Sequence, residues 1–474
     1  MVIIQDEKVL LFHQSVKDFL DKKEVINDLK AHAELAYRCV DLLIEDFHDK
    51  GESHVTFLGY AVEEWANHAH MAQSGFKVKA SQGEFFDTES KCRESWLRLY
   101  NRGRVYDSIP EHFSVLHVAA KWGILALVDH VCCPYSPLYE AEELVRLIEF
   151  AAADDVTPLE CAAGSGHSSV ITRLLDMGGK VSTRVAIAAA GNWRNGKEVM
   201  ALLLDRRGDQ ITITEEVVKA AAGNQQNGKE VMELLLDRRG DQITITEEVV
   251  KAAVWNGKNG KEVMTLLLDR RGDQITVTEK VVKAAAWNQK NGKEVMTLLL
   301  DRRGDEITIN EEVVKAAATC GQDQVLDFLS QQTVRIEEEW RCIAQFYNAA
   351  KAGDVQVIEE LIRKGIKPDV KNIWSVTPLW IAASVGHNTI VKLLAERRDV
   401  DVNSRSVLGA SPLFWPASRG DEPIVATLMD AGADPTFMDC DGNTAIMIAR
   451  KNGHEKIAKM LEGWNNETDA MKKA

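Results

Sequence analysis

The word NGKEVM begins at Asn195, Asn227, Asn259 and Asn291, a constant step of 32 residues. Around it runs a longer unit, ITITEEVVKAAAGNQQNGKEVMELLLDRRGDQ at Ile211–Gln242, with close copies at Ile243–Gln274 and Ile275–Glu306. A unit this short cannot bury its apolar face alone, so repetition at this period restricts the chain to stacked architectures with a shared core. Each unit reads as two short helices. Thr214 is placed as an N-cap, and Glu215 and Glu216 set negative charge at the positive end of the helix dipole. Val217, Val218 and the run Ala220–Ala222 give a narrow apolar face. A Gly/Asn/Gln-rich turn follows at 223–228, then a second helix with Val231, Met232 and Leu234–Leu236 on one stripe. Arg238, Arg239 and Gly240 close it, and 241–246 reads as an exposed crossing to the next unit. Met200, Met232, Met264 and Met296 form a column expected in the core, whereas Ala201, Glu233, Thr265 and Thr297 form one expected to face solvent.

The turns imitate a phosphate loop. Gly191–Glu198 (GNWRNGKE) and Gly223–Glu230 (GNQQNGKE) miss the pattern GxxxxGK[ST] only at the last residue, where Glu198 and Glu230 replace the hydroxyl that would hold magnesium. A genuine loop follows a buried strand, but here an Ala-rich helix precedes it, and the carboxylate would repel phosphate. Trp255 and Trp287 replace the first glycine in later copies, so the pattern reads as a helix–helix turn and no nucleotide site.

The charge of −15 argues against direct nucleic-acid binding, which needs a basic footprint. No cationic start and small-residue cleavage site flank the N-terminal MVIIQDEKVLLFHQ, and the most apolar long window, 115–133, is broken by Lys121, Asp129 and His130. The eight cysteines, with Cys132 and Cys133 adjacent, suit neither a disulfide framework nor metal-ligand spacing. These features lead to the expectation of an intracellular chain, in cytoplasm or nucleus, with no membrane, metal or cofactor. The sequon at Asn466 is read as incidental.

Outside the duplicated block stand Thr157-Pro158-Leu159-Glu160 with CAAGSGHSSVITRLLDMG, Thr377-Pro378-Leu379-Trp380 with IAASVGHNTIVKLL, Ser411-Pro412-Leu413-Phe414 with WPASRGDEPIVATLMDAGAD, and Thr444-Ala445-Ile446 with MIARKNGHEKIAKMLEG. Ser114-Val115-Leu116-His117 with VAAKWG is a fifth such phrase, and 346–372 keeps the second helix without the opening word. This pattern resembles the ankyrin repeat, whose Thr or Ser caps the first helix and whose Pro fits the first helical position. The resemblance runs from Pro110 to Trp464 and implies an all-α fold: an ankyrin-type helix-turn-helix solenoid with an N-terminal helical region. The expected organisation is a helical region 1–109, repeats 110–181 with an insertion near 134–155, tandem divergent 32-residue ankyrin-like repeats 182–332, C-terminal ankyrin repeats 333–464 and a polar tail 465–474. The charged stretch 333–343 marks either a break between stacks or a helix extending the spine.

In the first region, Leu11–Leu20 (LFHQSVKDFL) and Tyr60–Ala69 (YAVEEWANHA) resemble phrases found after the nucleotide-binding module of fungal NACHT–ankyrin proteins. The resemblance implies the sensor or scaffold part of such a protein, without the NTPase module. His13, Ser15 and Asp18 do not make a catalytic triad, since residues two apart on a helix point to different faces and no oxyanion loop accompanies them. His68 and His70 fail as a metal pair for the same reason. No enzyme is expected.

Candidate partner-binding residues are Trp193, Arg194, Trp255, Lys258, Trp287 and Lys290, an aromatic and basic set beside the block's turns. Trp and Arg are the residue types that most often anchor interfaces. The expected function is a non-catalytic scaffold that binds proteins through its concave face and repeat turns, in fungal signalling or recognition. The alternative is an ankyrin-repeat transcription coregulator, including one tied to a fungal secondary-metabolite gene cluster.

Overall fold

The computed structural model describes residues 2–5, 8–11, 28–48, 55–87, 90–102, 109, 113–131, 146–149, 155–332 and 336–463. The expectations for His13, Ser15 and Asp18, for Cys132–Cys133, for the insertion near 134–155 apart from 146–149 and 155, and for the polar tail lie outside these residues. Two compact units divide the chain: Met1–Asn101 with Asp107–Ile243, and Thr244–Ala474 with Arg102–Tyr106. The fold is an all-α repeat array. One departure from the helical expectation lies at the N-terminus, where Val2–Gln5 and Lys8–Leu11 pair as an antiparallel hairpin with Val2 opposite Leu11. Short apolar runs, Val2-Ile3-Ile4 and Val9-Leu10-Leu11, on either side of a short connection are too brief for a helix and suit a pair of strands.

In the first unit, the helices Asp28–His48 and Val55–Met71 pack as a pair. Trp65, Phe85 and Trp96 are buried beside them, with ring centroids 5.3 Å apart for Trp65–Phe85 and for Trp65–Trp96. First helices of successive repeats then stack in order: Val115–Trp122, Pro158–Ser165, Thr183–Gly191 and Glu215–Gly223. In the second unit the same stacking runs through Glu247–Trp255, Glu279–Trp287, Glu311–Thr319, Glu338–Ala352, Pro378–Val385, Phe414–Arg419 and Ala445–Lys451. The charged stretch before Cys342 therefore enters a helix that joins the block to the C-terminal repeats without interrupting the stack. Apolar residues make this spine: Met200, Met232, Met264 and Met296 are all fully buried, as the column predicts.

Three local expectations need correction. The crossings are not wholly exposed, because the extended backbone alternates and turns Ile243 and Ile245 into the core while the threonines face outward. Gly240 does not form a left-handed cap; it has φ −55° and opens a 3-10 turn, Gly240–Gln242. Thr246 and Thr278 cap their helices through the N–H groups of Val249 and Val281, but Thr214 holds the N-cap position without a side-chain bond.

His117 shows how the repeat words act as structure. Its Nδ1 lies 2.7 Å from the Ser114 hydroxyl and its Nε2 donates to the Val156 carbonyl at 2.8 Å, so one ring ties a helix start to the next repeat. Burial pushes the imidazole down to about 4, the Val156 bond opposes that shift, and the Arg93 guanidinium adds to it. A histidine held neutral when folded binds fewer protons than when unfolded, so its contribution is intact above pH 6.5 and is lost as pH falls toward 4. The expected loss is about 3 kcal/mol across that window. Urea denaturation at several pH values checks it, and the His117→Gln variant should show the smaller slope.

Candidate functional site

The block's turns carry the phosphate-loop lookalike and the predicted aromatic set. Asn192, Asn224, Asn256 and Asn288 end the first helices and are buried. The Asn224 amide Nδ2 donates to the carbonyls of Ala190 and Asn192 in the preceding repeat, at 2.9 and 2.8 Å. Its Oδ1 accepts from the N–H groups of Gln226 and Asn227, at 3.1 and 3.0 Å. Asn192 makes the same pattern with Ala163, Gly164, Arg194 and Asn195. The backbone donors that a phosphate would need are thus already engaged by a side chain. The glycine of NGKE is required for close approach: a Cβ at Gly292 would lie 2.6 Å from the Ala285 carbonyl oxygen. The turn is an inter-repeat lock.

The opposite end of each unit is tied by arginines. Arg207 donates to the Leu175 carbonyl at 2.9 Å and Arg239 to that of Gly208 at 2.5 Å, satisfying helix-terminal acceptors of the repeat before. Arg206–Asp176, Arg238–Asp205 and Arg302–Asp269 form a ladder between repeats at 2.9, 2.8 and 3.0 Å. These pairs are about half exposed, so each contributes little alone.

The predicted aromatic residues do not share one repeat position. Trp193 lies in a turn of the first unit, 58% exposed, with the Arg194 guanidinium 4.9 Å from its ring centre. Trp255 and Trp287 are instead the last residues of their helices, two positions earlier in the unit, and their rings meet edge-on at 6.0 Å. Lys258 and Lys290 are exposed, and the Lys290 stem lies over Gly257. Trp255 also meets Trp374 at 6.0 Å. That contact leads to a site the candidate set omitted.

Within the second unit, an apolar groove of about 480 Å³ runs along the C-terminal repeats. Its floor is Trp380 and Val385 from one first helix and Phe414 and Trp415 from the next. Its wall is a stack of three hairpin fingers. In the first, Asn372 N–H donates to the Val376 carbonyl, and Tyr347 holds the base by donating its hydroxyl to Val370 and Val376 carbonyls. In the second, Ser406 N–H donates to Ala410; in the third, Asp439 N–H donates to Asn443. The fingers are joined: Val407 N–H donates to the Trp374 carbonyl and Cys440 N–H to that of Leu408, both at 2.8 Å. Trp380 is held by its Nε1–H, which donates to the Ala410 carbonyl at 3.1 Å. Val385, Val407 and Leu408 remain 48%, 59% and 61% exposed, although folding gives no reason to place adjacent apolar side chains at a finger tip. Lys351, bonded to Gln289 at 3.3 Å, stands among the lining residues with Asp439 and Asp441. One sequence signal marked this site: aromatic Trp380 and Phe414 stand fourth in TPLW and SPLF, where the repeat word has histidine.

The family model described as ankyrin repeats (3 copies) matches residues 346–439 and 401–471, the segment that builds the groove. The C-terminal region is an ankyrin-repeat array. The ankyrin match does not extend over the block, whose residues 174–200, 202–232, 234–264, 266–296 and 298–319 match a domain of unknown function, DUF7104. The block's asparagine lock stands where ankyrin words use glycine and histidine, as in His387, whose Nε2 lies 3.0 Å from the Lys351 carbonyl oxygen. Among curated relatives, the chain is 29% identical over 129 residues to "Inactive serine/threonine-protein kinase TEX14" of Mus musculus, covering 27% of this chain and 9% of that protein. It is 38% identical over 109 residues to "Sex-determining protein fem-1" of Caenorhabditis elegans, 21% of this chain and 17% of that protein. It is 32% identical over 119 residues to "Ankyrin repeat, SAM and basic leucine zipper domain-containing protein 1" of Equus caballus, 24% of each. The chain therefore spans under a quarter of the length of each of these relatives. Ankyrin repeats are non-catalytic protein-interaction modules. Among the described residues, no helix is long and apolar enough to cross a membrane, and no group of three or more His, Cys, Asp or Glu is placed to hold a metal.

Proposed function

We propose that this chain is a non-catalytic recognition arm that holds a partner protein in the ankyrin groove of its second unit. The observation that supports this reading is the groove's exposed apolar residues, Val385, Val407 and Leu408, beside the aromatic side chains of Trp380, Phe414 and Trp415. A large exposed apolar surface is costly to leave in water and marks a contact surface. Trp255 takes part as the support of Trp374, whereas Trp193 belongs to a separate turn with its own arginine. We place the arm in signalling or recognition of the fungal NACHT–ankyrin kind; the helix Val55–Met71, which carries the YAVEEWANHA phrase, is compatible with it. The coregulator alternative stands on the repeats alone, and nuclear retention with altered transcripts on deletion would move the assignment there.

Affinity capture with the full tagged chain tests the groove. The Leu408→Asp variant should lose partner recovery by about tenfold or more, since a charge enters a desolvated contact. Trp255→Ala should weaken recovery, and Trp193→Ala should leave it unchanged. Full recovery with Leu408→Asp and loss with Trp193→Ala would transfer the site to the first unit.

A further inference from the structure

The groove is apolar along its length but not neutral, and this restricts what fits it. Resting on the groove reading above, we infer that its occupant is a linear peptide segment with bulky apolar side chains beside a lysine or arginine. The carboxylates come from the third finger. Asp439 is oriented by its own turn, its Oδ1 accepting from the N–H groups of Asp441 and Asn443 at 3.0 and 2.8 Å. Asp441 is exposed at the tip and lines the groove, one residue after Cys440, whose N–H donates to the Leu408 carbonyl. The cation of the neighbouring finger, Arg405, is turned over the Phe437 ring, 5.0 Å from its centre, and is not among the lining residues. The lining cation Lys351 bonds the neutral Gln289 amide and keeps its charge, so the lining holds two carboxylates against one ammonium. A partner's ammonium or guanidinium beside Leu408 therefore meets two carboxylates with no basic side chain of this finger opposing it. The chain's formal charge of −15 acts in the same direction over longer range, steering basic partners inward. The size agrees: about 480 Å³ suits a few inserted side chains of a peptide.

The test is fluorescence anisotropy on the full chain with short labelled peptides. Each carries a Leu/Trp/Leu core, with lysines at one end, glutamates at that end, or serines as the neutral form. The lysine peptide should bind at least about tenfold tighter than the glutamate peptide, and the preference should shrink with added salt. The Asp441→Lys variant should narrow or reverse that order while still binding the neutral peptide. Equal affinity for lysine and glutamate peptides, with binding lost in Leu408→Asp, would overturn the charge inference and leave the groove reading standing. Absence of binding by every peptide, or binding that survives Leu408→Asp, would overturn both.

Discussion

The Asn224→Ala variant unfolds more easily than the parent chain by about 2–4 kcal/mol, and its transition broadens or splits. The magnitude follows from the bonds removed. Two carbonyls of the preceding repeat, Ala190 and Asn192, lose a donor, and two turn amides, Gln226 and Asn227, lose an acceptor. Each unsatisfied buried group costs about 1–3 kcal/mol, and the turn's partial exposure lets water recover some of that. The loss falls on an interface between repeats, so cooperativity suffers as well as stability, because a linear array is held together by nearest-neighbour terms. Urea denaturation followed by circular dichroism measures both. The neighbouring Gln225 is exposed, so Gln225→Ala serves as the control and should change little. Equal behaviour of the two variants would show that the asparagine lock is not what couples the units.

The second large effect is expected at Gly409→Ala, which alters no side chain of the groove. Gly409 has φ +81°, and a Cβ there would stand 2.8 Å from the Met438 carbonyl oxygen and 3.1 Å from the Asp439 Cα. The substitution therefore adds a left-handed backbone penalty of about 1–2 kcal/mol and pushes the third finger away from the second. That movement breaks the Cys440–Leu408 bond and separates Asp439 and Asp441 from the groove floor. Gly442→Ala separates the two causes, since Gly442 has φ +78° but no atom within 4 Å of its Cβ position. It should show the backbone penalty alone and keep partner binding, whereas Gly409→Ala should lose both stability and binding. Thermal unfolding together with capture or peptide anisotropy distinguishes these outcomes. Retained binding in Gly409→Ala would mean that the finger stack does not shape the site.

The sequence pointed to the right chemistry at some positions and the wrong use at others. Asn192, Asn224, Asn256 and Asn288 recur at the 32-residue step, so their importance was visible, but a linear pattern shows neither donors nor acceptors. The same letters that resemble a phosphate cradle are a side chain occupying the amides a phosphate would need. Trp255 and Trp287 were legible as aromatic residues beside turns, yet Trp374, which Trp255 meets, lies 119 residues further along. The groove itself draws Trp380, Leu408 and Asp441 from three different loops or helices, and no local spacing joins them.

By itself the sequence determined the stacked helical pairs, because a 32-residue period with capped starts, small first helices and leucine-rich second helices has few other ways to bury its apolar stripes. It also placed the methionine column inside, whereas of the column expected to face solvent Glu233 is exposed and Ala201, Thr265 and Thr297 are half-buried. Only the tertiary structure decided which surface is left to bind. Burial is a property of neighbours: Ile275 and Leu408 both stand on connections between helices, yet Ile275 is buried, while Leu408 is open because the fingers bond through their backbones and leave its side chain exposed.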